Sequence, residues 1–214
     1  KSISRYNLVT GERTSVAQTF NGNVFNSPND IAITEDGIVY FTDPAFQTAA
    51  APGGQEKTGV YRVALDGTVT LVDDTISNPN GITLSPNEDV LYVNGGGEQG
   101  VLRAYAIVDG QPQAGKDLVT GINVPDGMAV DCLGNIYLTE HLTRKLRVFN
   151  PAGEQIAQAT VDANLTNAAF GGPIIGDKLA FRVAGKVVEK RVNSGERVRR
   201  GQVLALLDAS DYQL

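Results

Sequence analysis

The sequence has no tryptophan and only one cysteine, one methionine and one histidine among its 214 residues. A single cysteine excludes an internal disulfide framework. No apolar run approaches the roughly 20 residues that a membrane-spanning helix needs, so no membrane span is predicted. Basic residues are also scarce, 18 against 24 acidic ones, and the net charge of −6 disfavours a non-specific nucleic-acid binder, which needs a basic face.

The chain contains an internal repeat. Residues 28–43, 79–94 and 125–140 each begin with Pro followed by Asn or Asp, and continue with an apolar strand, a polar turn and a second strand that carries an aromatic residue. The leading prolines are 51 and 46 residues apart, and a fourth copy begins at Thr166, 41 residues further on. A fixed period of this length is typical of repeat architectures such as propellers.

Hairpin patterns fill the intervals between these repeats. Residues 59–72 alternate around an Asp66–Gly67 turn, and residues 101–110 and 145–153 have the same design. Each unit therefore has about four short strands, which is the signature of a propeller blade. The sequence predicts an all-β fold: a partial β-propeller of three to four blades. Because propellers need about four to eight blades, we expect part of a ring, cut at both ends.

Polar residues recur where each innermost strand begins. These positions hold Asn29, Asn80 and Asp126, with Asn167 as a fourth candidate. In a propeller they would converge on the axis, where amide and carboxylate oxygens suit a hard cation such as Ca²⁺. The alternative is an ordinary turn, because Asn and Asp tolerate left-handed backbone and bond their own main chain. The residues alone leave both interpretations open.

Other polar residues are weaker candidates. Asp30 and Asp43 lie near the expected channel and would support the site or cap a turn. His141 follows a strand and could act as a triad base, but no Ser or Cys stands in a nucleophile context. Cys132 lies within a strand-turn pattern, which favours a structural role.

The repeats resemble the gluconolactonase/regucalcin (SMP-30-like) family of six-bladed propellers. The matching motifs are Asn-Ser-Pro-Asn-Asp at 26–30, Val-Tyr-Phe-Thr-Asp-Pro at 39–44, Asn-Pro-Asn-Gly at 78–81, Pro-Asp-Gly at 125–127 and Thr-Asn-Ala-Ala-Phe-Gly-Gly-Pro at 166–173. The resemblance covers roughly residues 3–175. It implies a metal-dependent hydrolase of sugar lactones, with a divalent ion on the axis (Ca²⁺ first, with Zn²⁺, Mg²⁺ or Mn²⁺ as alternatives) and a water coordinated to that ion as the attacking group.

By this resemblance Asn80 and Asp126 match metal ligands, and Asn29 matches a polar residue that faces metal and substrate. Asp126 and Asn29 are then the catalytic candidates. The family's remaining ligand, a first-blade Glu, lies upstream of the sequence. Two amides and one acid should hold a divalent ion weakly. The interpretation therefore includes a site that is incomplete and an enzyme that is inactive as written. The alternatives are a non-catalytic binding or scaffold module that self-associates through open blade edges, or an adaptor fragment.

The sequence changes character near residue 176. Residues 178–214 carry a net charge of +4, against −10 for the preceding residues, which suggests two units: 1–175 and 176–214. The second resembles the first half of a biotinyl/lipoyl-like domain of periplasmic adaptor (membrane fusion) proteins, through Gly185, Val192, Gly195, Glu196, Val198, Gly201, Gln202, Leu204, Leu207 and Asp208. Alternatively, this segment supplies strands of a last blade. The compartment, cytoplasmic or periplasmic, stays open.

Overall fold

The computed structural model describes residues 1–46 and 53–170, together with the strand paths of 179–183, 187–190 and 205–207. Within these ranges the fold consists of strands, turns and one 3₁₀ helix, Gly97–Gln99. None of the described segments forms a helix long and apolar enough to cross a membrane. The first strands are Ile3–Tyr6 (β1), Arg13–Ala17 (β2), Thr19–Phe20 (β3) and Asn23–Val24 (β4), and they form two hairpins, β1–β2 and β3–β4.

Three antiparallel sheets follow, each hydrogen-bonded largely in chain order. Blade one consists of Ile31–Ile33 (β5), Val39–Asp43 (β6), Gly59–Val63 (β7) and Val69–Asp73 (β8). Blade two consists of Pro79–Leu84 (β9), Val90–Gly95 (β10), Gly100–Val108 (β11), Gln111–Pro112 (β12) and Lys116–Ile122 (β13), with β12 and β13 both paired to β11. Blade three consists of Pro125–Val130 (β14), Ile136–Glu140 (β15), Lys145–Phe149 (β16) and Gln155–Thr160 (β17). The predicted all-β partial propeller is confirmed.

The hairpin expected at Asp66–Gly67 joins β7 to β8. Gly67 has a φ of 85°, and its N–H donates to the Ala64 carbonyl at 2.9 Å. Glycine adopts this left-handed backbone conformation without steric penalty. The Asp-Gly pair therefore determines the turn and with it the register of the two strands.

The hydrophobic core lies between the blades. Blade one contributes Tyr40 and Val60, and blade two contributes Leu91 and Tyr105, to a shared cluster whose members are at most 8 % exposed. A second cluster joins blades two and three through buried residues such as Leu138. Successive residues of a strand face opposite sides of the sheet. The strand β10, for example, contributes Leu91 to the first cluster and Tyr92 to the second. Each blade is therefore stabilised by its neighbours.

The innermost strands lie side by side around an axis, with β9 between β5 and β14, and with β14 against Leu165–Phe170 (β18). The glycines after the repeat's Asn or Asp make this approach feasible. A Cβ at Gly81 would lie 2.3 Å from the carbonyl oxygen of Asp126, and one at Gly127 would lie 2.1 Å from Oδ1 of Asn167. Only glycine fits at these two points, which is a packing reason for the Pro-Asn-Gly and Pro-Asp-Gly motifs.

Three further strands complete the described backbone: Leu179–Val183 (β19), Val187–Lys190 (β20) and Ala205–Leu207 (β21). β19 pairs antiparallel with β18, and β20 pairs with β21. The side chains of residues 176–214 and most of their backbone lie outside the described residues, so the half lipoyl-like domain and the 175/176 boundary stay predictions.

Candidate active site on the propeller axis

A polar cavity of about 440 Å³ opens where the innermost strands begin. It gathers the four positions that the repeat singled out, and its lining is Asn29, Asp30, Asn80, Asp126, Gly127, Thr166 and Asn167. The residues come from three blades and β18, so convergence follows from the circular arrangement of the repeats. None of the described lining residues is a Lys or an Arg.

Hydrogen bonds between blades fix the strand ends that carry Asn80 and Asp126. Thr42, on β6, donates its hydroxyl to the Asn80 carbonyl at 2.7 Å. Asn94, on β10, donates its amide to the Asp126 carbonyl at 2.5 Å and accepts from the Gly81 N–H at 3.1 Å. Blade one thus binds a backbone carbonyl at the start of β9, and blade two binds one at the start of β14. Such pairing is needed because buried backbone groups are shielded from water.

Sequence reasoning missed these supporting residues, although the repeat contains a signal for them. Thr42, Asn94 and Thr139 each stand two residues after the tyrosine of their repeat. Thr139 donates to the Gly127 carbonyl at 2.9 Å within its own blade. A polar residue recurring at a buried strand position predicts a specific hydrogen-bond partner.

The donor set of the cavity fits an oxygen-ligated cation. Asn80 is 8 % exposed; its Nδ2 donates to the Pro125 carbonyl at 3.3 Å, and its side chain also hydrogen-bonds to the carboxylate of Asp126. Asn29 stands exposed at the rim. No group of three or more His, Cys, Asp or Glu side chains suited to a metal occurs among the described residues, so amide oxygens must supply part of the coordination. Ca²⁺ accepts carboxylate and amide oxygens alike.

Asp126 is the most perturbed acid of the cavity. Burial raises the pKa of its carboxyl from the ordinary 3.8 to about 6, and the charge of Asp30 raises it further. The charge of His141 and hydrogen bonds from Asn80 and from the Gly127 N–H lower the pKa and oppose these effects. The carboxylate therefore exists at neutral pH under a desolvation penalty, which a bound cation would offset.

His141 supports Asp126 from outside the cavity. Its Nδ1 lies 3.7 Å from Oδ2 of Asp126 and 3.2 Å from the Leu165 carbonyl, to which it donates. Its Nε2 lies 3.5 Å from Nδ2 of Asn164. None of these partners is a serine or cysteine side chain, so the histidine lacks the nucleophile of a triad.

The two remaining acids have different positions. Asp43 is fully buried, and its carboxylate accepts the backbone N–H groups of Asn26 at 2.8 Å and Ser27 at 2.7 Å. It therefore caps the loop before blade one and does not line the cavity. Asp30 lines the cavity beside Asn29. Cys132 is exposed and does not line the cavity.

These features define a class: a β-propeller protein with an oxygen-rich cavity on its axis. Comparison with known proteins gives the family. Residues 1–177 match the model of the SMP-30/gluconolactonase/LRE-like region, and the chain belongs to that family. The family resemblance predicted from the sequence is confirmed for this part of the chain.

Three similar proteins are informative. The gluconolactonase of Zymomonas mobilis is 29 % identical over 188 residues, covering 80 % of this chain and 52 % of that protein. The pentonolactonase XacC of Haloferax volcanii is 28 % identical over 186 residues, covering 83 % and 60 %. The solved gluconolactonase of Xanthomonas campestris superimposes with a TM-score of 0.69 at 26 % identity, covering 79 % and 58 %. The chain thus spans about half to three fifths of the length of these relatives.

Proposed function

We propose that this protein hydrolyses sugar lactones at the axial cavity with the help of a divalent cation, for which Ca²⁺ is the first candidate and Zn²⁺, Mg²⁺ and Mn²⁺ are alternatives. The observation that carries the proposal is the convergence of the buried Asn80 amide and the desolvated carboxylate of Asp126 on one axial cavity. Membership of the gluconolactonase family and similarity to two sugar lactonases support the substrate class.

Each polar residue has a distinct role in this proposal. Asn80 and Asp126 hold the cation through their oxygens. When bound, a divalent cation polarises a lactone carbonyl and lowers the pKa of water. Asn29, exposed at the rim, orients the lactone or the attacking water through its amide.

The protonation state of Asp126 sets the pH dependence of cation binding. Since burial raises the pKa of its carboxyl to about 6, the group is ionised at neutral pH and increasingly neutral below pH 6 in the metal-free protein. A neutral carboxyl is a poor cation ligand. We expect the affinity for Ca²⁺ to fall as the pH decreases from about 7 to about 5, measured by calorimetric titration.

The test pairs a binding measurement with an activity assay. A cation at about 100 times its dissociation constant stabilises the folded state by about 2.7 kcal/mol, so Ca²⁺ should raise the melting temperature of the wild type, and EDTA should reverse this. Hydrolysis of glucono-lactone above the spontaneous rate, followed by pH-stat titration, should depend on the cation. Asp126→Ala should lose both responses. The matched control is Asp109→Asn, which removes the same charge at an exposed turn.

Two outcomes would contradict the proposal. Cation-dependent hydrolysis that survives unchanged in Asp126→Ala would remove this carboxylate from the site. A cooperatively melting wild type that shows no shift with any of the four cations would exclude a functional metal site in this chain.

A second candidate function is a non-catalytic scaffold that self-associates. Its supporting observation is an apolar cavity of about 690 Å³ between β1–β2 and blade one, whose lining includes the exposed side chains of Ile31, Ile33 and Leu65. The outer strand β17 is exposed along its whole length, and an open edge invites pairing. Light scattering distinguishes the candidates: concentration-dependent oligomers with no cation response favour the scaffold, whereas a monomer that binds Ca²⁺ favours the enzyme.

A further inference from the structure

Asn167 lines the axial cavity, and its amide is oriented by its own backbone. The Oδ1 atom accepts the N–H of Ala168 at 2.8 Å. A backbone N–H can only donate, so the atom that faces it must be the amide oxygen and not the amide nitrogen. The same oxygen lies over Gly127, where a Cβ would come within 2.1 Å of it. The oxygen of this amide is therefore directed towards the protein.

The nitrogen of the Asn167 amide is left for the cavity. Asn167 is half-buried and belongs to the lining of the cavity, and its Nδ2 donates to none of the described residues. An amide nitrogen carries two N–H donors and no acceptor. This position therefore offers hydrogen-bond donors to a molecule that occupies the cavity.

Asn80 stands at the equivalent position of another repeat, but its amide has the opposite orientation. Its Nδ2 donates to the Pro125 carbonyl at 3.3 Å, and its side chain also donates to the carboxylate of Asp126. The nitrogen of Asn80 is thus used within the protein, whereas in Asn167 the oxygen is used. Asn80 therefore suits a cation ligand, and Asn167 suits a partner that accepts hydrogen bonds.

The other polar groups of the cavity make this donor important for the choice of substrate. The described lining contains Asp30 and Asp126 but no Lys or Arg. Its side-chain donors are therefore only amides and the hydroxyl of Thr166. A sugar hydroxyl needs acceptors and donors together, because its hydrogen donates while its oxygen accepts. A lactone without hydroxyl groups does not need this additional donor once its carbonyl oxygen faces a cation.

We infer that Asn167 is a specificity-determining residue that donates its amide N–H to a hydroxyl oxygen of the substrate, so that the cavity selects polyhydroxylated lactones over unsubstituted ones. This inference rests on the proposed function. It separates Asn167 from the cation ligands, with which the sequence repeat had grouped it. Loss of one neutral hydrogen bond should weaken substrate binding about fivefold to tenfold.

The experiment compares two six-membered lactones, D-glucono-δ-lactone and δ-valerolactone, which lacks the hydroxyl groups. The value of kcat/KM is measured by pH-stat titration in saturating Ca²⁺ for the wild type, Asn167→Ala and Asn167→Leu. Both substitutions remove the amide, and Leu roughly retains the size of the side chain. For D-glucono-δ-lactone, kcat/KM should fall about fivefold to tenfold, mainly through KM. For δ-valerolactone it should change by less than about twofold.

A control variant and two binding measurements accompany the kinetics. Asn87→Ala removes an exposed asparagine outside the cavity lining and should change neither value. Calorimetric titration with Ca²⁺ should give affinities that agree within about twofold in wild type and Asn167→Ala. D-Gluconate, titrated in saturating Ca²⁺, should bind the variant about fivefold to tenfold more weakly. This titration decides the question if δ-valerolactone reacts too slowly for comparison.

The outcomes separate this inference from the proposed function. An equal loss for both lactones overturns the inference, because Asn167 would then act on the ester group that they share or through the fold. Unchanged kinetics with D-glucono-δ-lactone overturn it as well. A loss of Ca²⁺ affinity in Asn167→Ala would make the residue a cation ligand and also overturn it. In these three cases the lactonase proposal stands, whereas a wild type that hydrolyses neither lactone contradicts the proposed function, and this inference falls with it.

Discussion

Asp126→Asn should stabilise the metal-free protein at neutral pH. The buried carboxyl has a pKa of about 6 in the folded chain, against 3.8 in its ordinary state. The folded state therefore binds more protons than the unfolded state between these two values. Stability consequently falls as the pH rises from about 4 to about 6 and stays low above that range. An amide at the same position carries no charge to desolvate, so the penalty disappears.

The size of the effect follows from the two pKa values. One pKa unit corresponds to about 1.4 kcal/mol, so the full difference is about 3 kcal/mol. About a fifth of the side chain, 21 %, stays exposed, and solvent screening reduces the expected gain to about 2 kcal/mol. Burial also raises the pKa values of Asp30 and Asp43. The difference between wild type and variant isolates the contribution of Asp126.

The assay is urea denaturation in EDTA from about pH 4 to about pH 8, with Asp109→Asn as the charge control. The curves of wild type and Asp126→Asn should nearly coincide at about pH 4 and separate by about 2 kcal/mol at about pH 7.5. Saturating Ca²⁺ should reverse the order, because only the wild type has the carboxylate ligand. A variant that is equally stable or less stable at about pH 7.5 without metal would refute the reasoning.

Three further substitutions test the fold around the site. Val124→Asn should stabilise by about 1 kcal/mol in thermal unfolding, because the β-branched Val124 is held at a φ of 45°, where Asn is tolerated better; a loss of stability would contradict this. Gly127→Ala should lower the free energy of unfolding by more than about 2 kcal/mol and abolish the Ca²⁺ response, because its Cβ would lie 2.1 Å from Oδ1 of Asn167. If the variant melts like the wild type, this close contact does not exist. Leu138 is fully buried, so Leu138→Ala should lower the free energy of unfolding by about 2–5 kcal/mol. Leu133 is 78 % exposed, so the control Leu133→Ala should change it by less than about 0.5 kcal/mol. Equal effects of the two substitutions would contradict the assignment of Leu138 to the core.

The sequence predicted much of the site because the architecture is repetitive. Once the repeat is recognised, equivalent positions must lie at equivalent places around an axis. Asn29, Asn80, Asp126 and Asn167 could therefore be grouped without coordinates, and the structure places all four around one cavity. Their roles as metal ligands and catalytic residues stay a proposal.

The choice between Asp30 and Asp43 shows where sequence reasoning ended. The sequence left a supporting role and a capping role open for each of these acids. Only the packed structure separates them. Asp43 turns to the loop at Asn26 and Ser27, whereas Asp30 reaches across to a backbone group of the next blade. A contact between residues 52 positions apart in sequence leaves no local signature.

The sequence by itself determined the strand periodicity, the Asp-Gly turn, the repeat of about four strands and the family. These depend on local backbone preferences and on a fixed spacing, which can be read from neighbouring residues. The tertiary structure alone decided the desolvation of Asp126, the interblade bonds of Thr42 and Asn94, and the burial of Asn80. Burial, electric charge and hydrogen-bond satisfaction depend on which groups meet in space, and blades that are distant in sequence meet only when the ring is assembled.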